Sequence, residues 1–170
     1  VVCAGVIHGS ADVQKAHTYR LDAFSSGDAG PLGYVEEGRL RVLRNWPVLP
    51  EYRIGARFEN LLKYADAVSW PRVEVVLNYV GAGPAIVEAL VADGVHGLVV
   101  AATGNGSVHH ALEKALLDAQ ARGVRIVRAT RCLGGRVLPK EGDLLPDSQG
   151  LSPVKARVSL LLSLLLSLME

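Results

Sequence analysis

From Val73 onward, short apolar runs alternate with helical periods, and that alternation leaves few folds open to the chain. Residues 73–77 (VEVVL) form a β-branched run. A GAGP turn follows and places Pro84 at an expected first helical position, where its missing N–H costs nothing. Ile86, Val87, Leu90 and Val91 then line one helical face, and Gly94 stands where a C-terminal cap belongs. The cycle repeats with a strand over 98–102 and a helix lined by Val108, Leu112, Leu116 and Ala119. Ser107 is the expected cap of that helix, and Gly123 closes it. A third strand covers 125–128, a long loop covers 130–150, and Ser152-Pro153 opens a last helix. Apolar strands joined by short helical links imply parallel pairing with right-handed crossovers and helices on both faces. The expected fold class is α/β, with a doubly wound, mostly parallel sheet in this part of the chain.

The first third differs. Residues 1–6 (VVCAGV) read as a buried strand, and a polar loop follows over 8–18. Residues 27–33 (GDAGPLG) are rich in turn formers. Residues 34–44 read as a hairpin with Glu37-Gly38 at its turn and Leu40 and Val42 alternating with Arg39 and Arg41. Residues 45–72 carry three prolines and one short helical patch over 58–65, the texture of an interdomain linker. Three parts are therefore expected. Residues 1–50 are the tail (strand, loop, hairpin) of one α/β domain, 51–72 are a linker, and 73–170 are a second domain. Residue 1 is Val, the only methionine is Met169, and no cap, loop or signal precedes the first strand. The expectation is a chain cut from something longer.

Composition narrows the function classes. The 18 basic and 17 acidic residues are mixed along the chain. No basic stripe with interleaved aromatics marks a nucleic-acid surface. The apolar run over 158–169 is too short for a membrane span, which needs about 20 residues. Within it Ser159, Ser163 and Ser167 recur every four residues, a small-residue stripe that suits close packing of another helix or simply faces solvent. Cys3 and Cys132 form no CxxC pair and are read as small apolar residues, which leans toward a reducing, cytoplasmic setting.

Two segments carry side chains suited to chemistry. Thr103-Gly104-Asn105-Gly106-Ser107 follows a strand and precedes a helix, where backbone N–H groups favour an anion. An ordinary strand-to-helix turn has the same spacing, and both readings stand. Asp12-Val13-Gln14-Lys15 places an amine near a carboxylate, an arrangement that can help deprotonate a hydroxyl nucleophile, while a solvated loop lysine reads identically. His109 and His110 diverge by about 100° on a helix and form no ligand pair, so no metal is expected. Glu36-Glu37 reads as a solvated hairpin tip.

Six segments in order, VVCAGVIHGSADVQKAHT, LDAFSSGDAGPLGYVEEGRLR, VEVVLNYVGAG, GVHGLVVAATGNGSVH, RGVRIVRATRCLGG and LSPVKARV, resemble bacterial-type L-asparaginases and glutaminase-asparaginases. The resemblance implies hydrolysis of L-asparagine, and often L-glutamine, to the dicarboxylic acid and ammonia without metal or cofactor. A threonine hydroxyl would attack the side-chain amide, and water would cleave the acyl-enzyme. It also implies a homotetramer, a dimer of dimers in which one subunit's C-terminal domain closes its neighbour's site. Lys15 matches the catalytic lysine, and Asn105 matches the asparagine that a neighbouring subunit brings to the substrate. Glu141 matches the acidic residue from the loop before the last helix, although that loop differs in length. Ala16 replaces the family's frequent threonine. The TGGTI-like segment with the nucleophile and the TDT-like segment with a threonine-aspartate pair have no counterpart here, so the chain alone is expected to be inactive. A different class remains beside it: a non-catalytic α/β lobe that holds an anion or amino acid at the GNGS helix terminus. A dinucleotide-binding half fits less well, because neither glycine turn has the GxGxxG spacing.

Overall fold

The computed structural model describes residues 1–47 and 69–168. They form two compact units, residues 1–47 with 133–135, and residues 69–132 with 136–168.

The first unit is built from very short strands. A four-stranded antiparallel sheet has the order β1 (Val2–Cys3), β2 (Val6–Ile7), β5 (Gly33–Glu36) and β6 (Arg39–Val42). A separate ribbon pairs β3 (Gln14–Lys15) with β4 (Phe24–Ser25). The single buried strand expected over 1–6 is instead a hairpin, with Val2 opposite Ile7 and Cys3 opposite Val6. Its turn, Ala4-Gly5, has φ of 47° and 77°, matching the 48° and 72° of the expected Glu37-Gly38 turn. Two successive positive φ values give the tight turn that suits the twist of paired strands. An apolar composition hid that turn. It also hid the exposure, because β1 lies at the sheet's edge with Val2 61% exposed while Ile7 is buried.

The second unit follows the expected alternation closely. The strands β7 (Val73–Leu77), β8 (Gly97–Ala102) and β9 (Arg125–Thr130) pair in parallel in that order. The crossover helices are α1 (Ala85–Ala92) and α2 (His110–Ala121), and α3 (Pro153–Ser167) follows β9. Sequential strand order puts both crossovers on one face when each is right-handed. There Val76, Leu98, Val100 and Ile126 meet Val87, Leu112, Leu116 and Ala119. On the other face Val73, Val99 and Ala129 meet Ala156 and Leu160 of α3. Arg157 fastens that helix by donating from Nε to the Val73 carbonyl at 2.7 Å. Burial on both faces makes β8, buried at all six positions, read as a continuous apolar run, whereas Val75 and Leu77 of the edge strand β7 stay exposed. Pro84 stands one residue before α1. Ser159, Ser163 and Ser167 are exposed on α3.

Residues 130–150, read as a plain loop, return to the sheet. Arg128 N–H donates to Pro146 O at 2.8 Å and Ser148 N–H donates to Arg128 O at 2.9 Å. This adds a brief parallel contact beside β9. Most of the stretch expected as linker, including its helical patch over 58–65, lies outside the described residues. No helix among the described residues is long and apolar enough to cross a membrane.

Candidate functional site

Lys15 sits in a strand rather than a loop. It pairs with Phe24 across the β3–β4 ribbon, and Ala16 N–H closes onto Ala23 O at 2.7 Å. Beyond it the chain folds on His17, whose Nδ1 accepts from the backbone N–H groups of Tyr19 and Arg20, both at 3.1 Å. These two bonds place the neutral ring's proton on Nε2. Lys15, Ala16, His17 and Thr18 line an open recess of about 260 Å³. The Lys15 side chain is exposed and has no ion-pair partner among the described residues. An amine placed like this can carry a proton for a hydroxyl brought beside it.

Below the ribbon, His8 is buried and its Nδ1 lies 2.8 Å from Ser26 Oγ. Burial pulls the His8 pKa below its ordinary value, since the charged ring would lose hydration. Arg44 braces the GPLG turn, donating to Gly30 O at 2.9 Å and Pro31 O at 3.2 Å.

In the second unit the TGNGS segment closes on itself. Thr103 N–H donates to Ser107 O at 3.1 Å, and Ser107 N–H donates to Thr103 O at 2.9 Å. Gly106, at φ 83°, occupies backbone space that L-residues avoid. A Cβ there would also lie 3.0 Å from Arg128 Nε and from Val137 Cγ1.

This closure overturns the expected cap. Ser107 is not the N-cap, because its backbone is committed to the turn. The helix α2 begins at His110, and His109 caps it by accepting from Ala111 N–H at 3.4 Å. Asn78, 5% exposed, latches the two together. Its Nδ2 donates to Ser107 O at 3.1 Å and its Oδ1 accepts from His109 N–H at 2.8 Å. The N–H groups of Ser107, His109 and Ala111 are thus already satisfied. GNGS stops short of the helix start, so the turn does not itself form the first turn of α2.

Asn105 is exposed at the turn's tip, and both ends of its carboxamide bond to Leu138. Leu138 N–H donates to Oδ1 at 2.7 Å, and Nδ2 donates to Leu138 O at 3.3 Å. A carboxamide has two donors and two acceptor lone pairs, so one of each remains for a ligand. Thr130 Oγ1 donates to Gly104 O at 2.7 Å from the neighbouring strand. Glu141 is exposed on the loop that starts at Leu138, with its side chain unpaired among the described residues. That loop is held by Asp143, whose carboxylate accepts from Lys140 N–H at 2.8 Å and from Arg128. The Arg128 hydrogen bonds pull the Asp143 carboxyl below the usual carboxylate range. Asn105 and Glu141, which the sequence pairs only through resemblance, therefore lie on turns tied to each other. Sequence reasoning missed Arg128, and it marked the segments that carry Asn78 and Asp143 as lying beyond the strand ends without finding that these two side chains hold the turns. The available signal was a polar side chain at an inward register: Asn78 is two residues past Val76, and Arg128 two past Ile126.

The chain is also similar to known proteins. Residues 72–168 match the family model for the Glutaminase/Asparaginase C-terminal domain, and residues 1–48 match that for Asparaginase, N-terminal. L-asparaginase 2 of Bacillus subtilis (strain 168) is 32% identical over 156 residues, covering 89% of this chain and 40% of that protein. A glutamyl-tRNA(Gln) amidotransferase component of Sulfurisphaera tokodaii is 34% identical over 155 residues, covering 88% of this chain and 32% of that protein. The crystal structure of a probable cytoplasmic L-asparaginase from Campylobacter jejuni superposes with a TM-score of 0.81 at 29% identity. That match covers 95% of this chain and 49% of the other. The chain thus spans less than half the length of each of these three relatives.

Proposed function

Because the chain belongs to the glutaminase/asparaginase family, we propose that its residues form part of a site that hydrolyses L-asparagine to L-aspartate and ammonia. L-glutamine is the second substrate of this reading. The observation that carries it is the ordered match of both family models, with Lys15 inside the first and Asn105 and Glu141 inside the second. Residues 1–50 are then the tail of the N-terminal domain, 51–72 the linker and 73–170 the C-terminal domain.

The chemistry divides accordingly. A threonine hydroxyl, which these 170 residues do not supply, adds to the side-chain carbonyl. Lys15 helps take up its proton, the C–N bond breaks, and ammonia leaves with a proton. Water then cleaves the ester. The remaining N–H and lone pair of Asn105 orient the substrate's polar end, and the Glu141 carboxylate attracts its α-ammonium group. Both reach the substrate of a neighbouring copy in a dimer of dimers, located in the cytoplasm. No metal or organic cofactor takes part. The likeness to an amidotransferase component offers another fate for the nitrogen, namely transfer to an acceptor instead of release.

Ammonia release tests this reading. The 170-residue chain alone should release none from L-asparagine. Fusion to the N-terminal segments of the Bacillus subtilis relative should restore release. Lys15→Met in that fusion should lower kcat by roughly 10²–10⁴, the usual contribution of a proton-transfer group. Turnover by the chain alone, or a fusion indifferent to Lys15→Met, would count against it. Ammonia appearing only when an acceptor is withheld would favour transfer.

A further inference from the structure

We infer that Arg128 is a positioning residue whose guanidinium ties the turn bearing Asn105 to the loop bearing Glu141, so that the two groups form one rigid edge. The inference rests on the reading of Asn105 and Glu141 as substrate-edge groups.

Arg128 is out of place in its strand. It lies on the parallel β9, only 7% exposed, where apolar side chains are the rule. A buried guanidinium is tolerated when its charge is paired; the Arg128 pairing runs through Nη1 and Nη2, while Nε is buried without a partner among the described residues. Here Nη2 donates to Asp143 Oδ2 at 2.7 Å, and Nη1 donates to Asp143 Oδ1 at 3.2 Å and to Gly106 O at 3.4 Å. One side chain therefore touches both segments. Gly106 adjoins Asn105, and Asp143 lies two residues beyond Glu141.

The loop is held at two points. Its start is fixed where Leu138 meets the Asn105 carboxamide, and its far end is fixed where Asp143 meets Arg128. Glu141 is the exposed acid between them. Asp143 also accepts from Lys140 N–H, so the carboxylate shapes the residues flanking Glu141 as well as anchoring them. Lysine at 128 would keep the charge, but a single ammonium cannot reproduce the planar fork that bridges Gly106 and both Asp143 oxygens.

The test is amide exchange and side-chain NMR on the ¹⁵N-labelled chain. Asp143→Asn and Arg128→Met should each speed exchange at the Leu138 and Lys140 N–H groups at least about tenfold, with Arg128→Lys intermediate. The amides of β8 should keep their protection. The Asn105 Nδ2 proton that bonds to Leu138 O should shift toward its free-carboxamide position in Asp143→Asn and return in Asp143→Glu. If Arg128→Met does not fold, Asp143→Asn and Arg128→Lys carry the test. Unchanged Leu138 exchange in Asp143→Asn would overturn the inference, as would loss of Leu138 protection only together with β8. Titration with L-aspartate of the fusion that carries the N-terminal segments of the Bacillus subtilis relative separates the two readings. Shifts at Asn105 and Glu141 support the substrate edge. Their absence beside the expected exchange changes would overturn that edge and leave the tie between the two segments standing.

Discussion

The packing of α3 on the sheet can be tested at Gly97, where a single methyl group has no room. A Cβ on residue 97 would lie 2.9 Å from Leu160 Cδ2, 3.2 Å from Leu164 Cδ1 and 3.3 Å from Leu160 Cγ. Carbon atoms pack best at about 3.5–4.0 Å, so either α3 moves outward or Leu160 leaves its rotamer. Overpacking of this kind costs about 1–3 kcal/mol. Alanine also stiffens the unfolded chain, which offsets about 0.4–1 kcal/mol. Gly97→Ala should therefore destabilise the second unit by about 1–2 kcal/mol. Leu160→Ala, which empties a buried position, should cost about 2–5 kcal/mol alone. In the double variant the new methyl group enters the space that Leu160 leaves, so the pair should cost less than the sum by roughly 1 kcal/mol. Urea unfolding followed by circular dichroism, with amide exchange on β8 to isolate the second unit, measures all three. A Gly97→Ala chain as stable as the parent, or strictly additive costs in the double variant, would refute the packing account.

Three further outcomes are expected. Leu112→Ala, at a fully buried position of the α1–α2 face, should cost about 2–5 kcal/mol in denaturant unfolding. Gly106→Ala should cost more than the roughly 1–2 kcal/mol of a left-handed backbone alone. The reason is that the new Cβ also displaces Arg128, and Leu138 exchange should accelerate with it. The Arg128–Asp143 bond should be lost on acidification. Arg128 holds the Asp143 carboxyl low, so the contribution is complete above the ordinary carboxylate value of about 4. It disappears as pH falls through the lowered folded value. The Leu138 amide resonance should report the change, and Asp143→Asn should abolish it.

The second unit was legible because its physics is periodic. A strand covered on both faces is apolar at most positions, as Val73, Val99 and Ala129 on one face and Val76, Leu98 and Ile126 on the other show. The helices showed their buried stripes for the same reason. In the first unit β1 to β4 have two residues each, too short to display any period, so the Ala4-Gly5 turn passed for strand and the Lys15 ribbon for loop. Ser107 misled in another way. Serine is a good helix cap, but the Thr103 pairing and the Asn78 latch claim its backbone first. The site residues were placed by resemblance, and what holds them was hidden. Arg128 and Asn78 read as strand-end polar residues until the neighbouring turns were folded against them.

The clip between Asn105 and residue 138 has a consequence for drift in this loop. Both bonds end on main-chain atoms of residue 138, and the leucine side chain itself is exposed. Recognition is therefore blind to which amino acid occupies the position. Any residue but proline, which lacks the N–H, preserves the attachment, so relatives can diverge freely at 138 while the fastening remains.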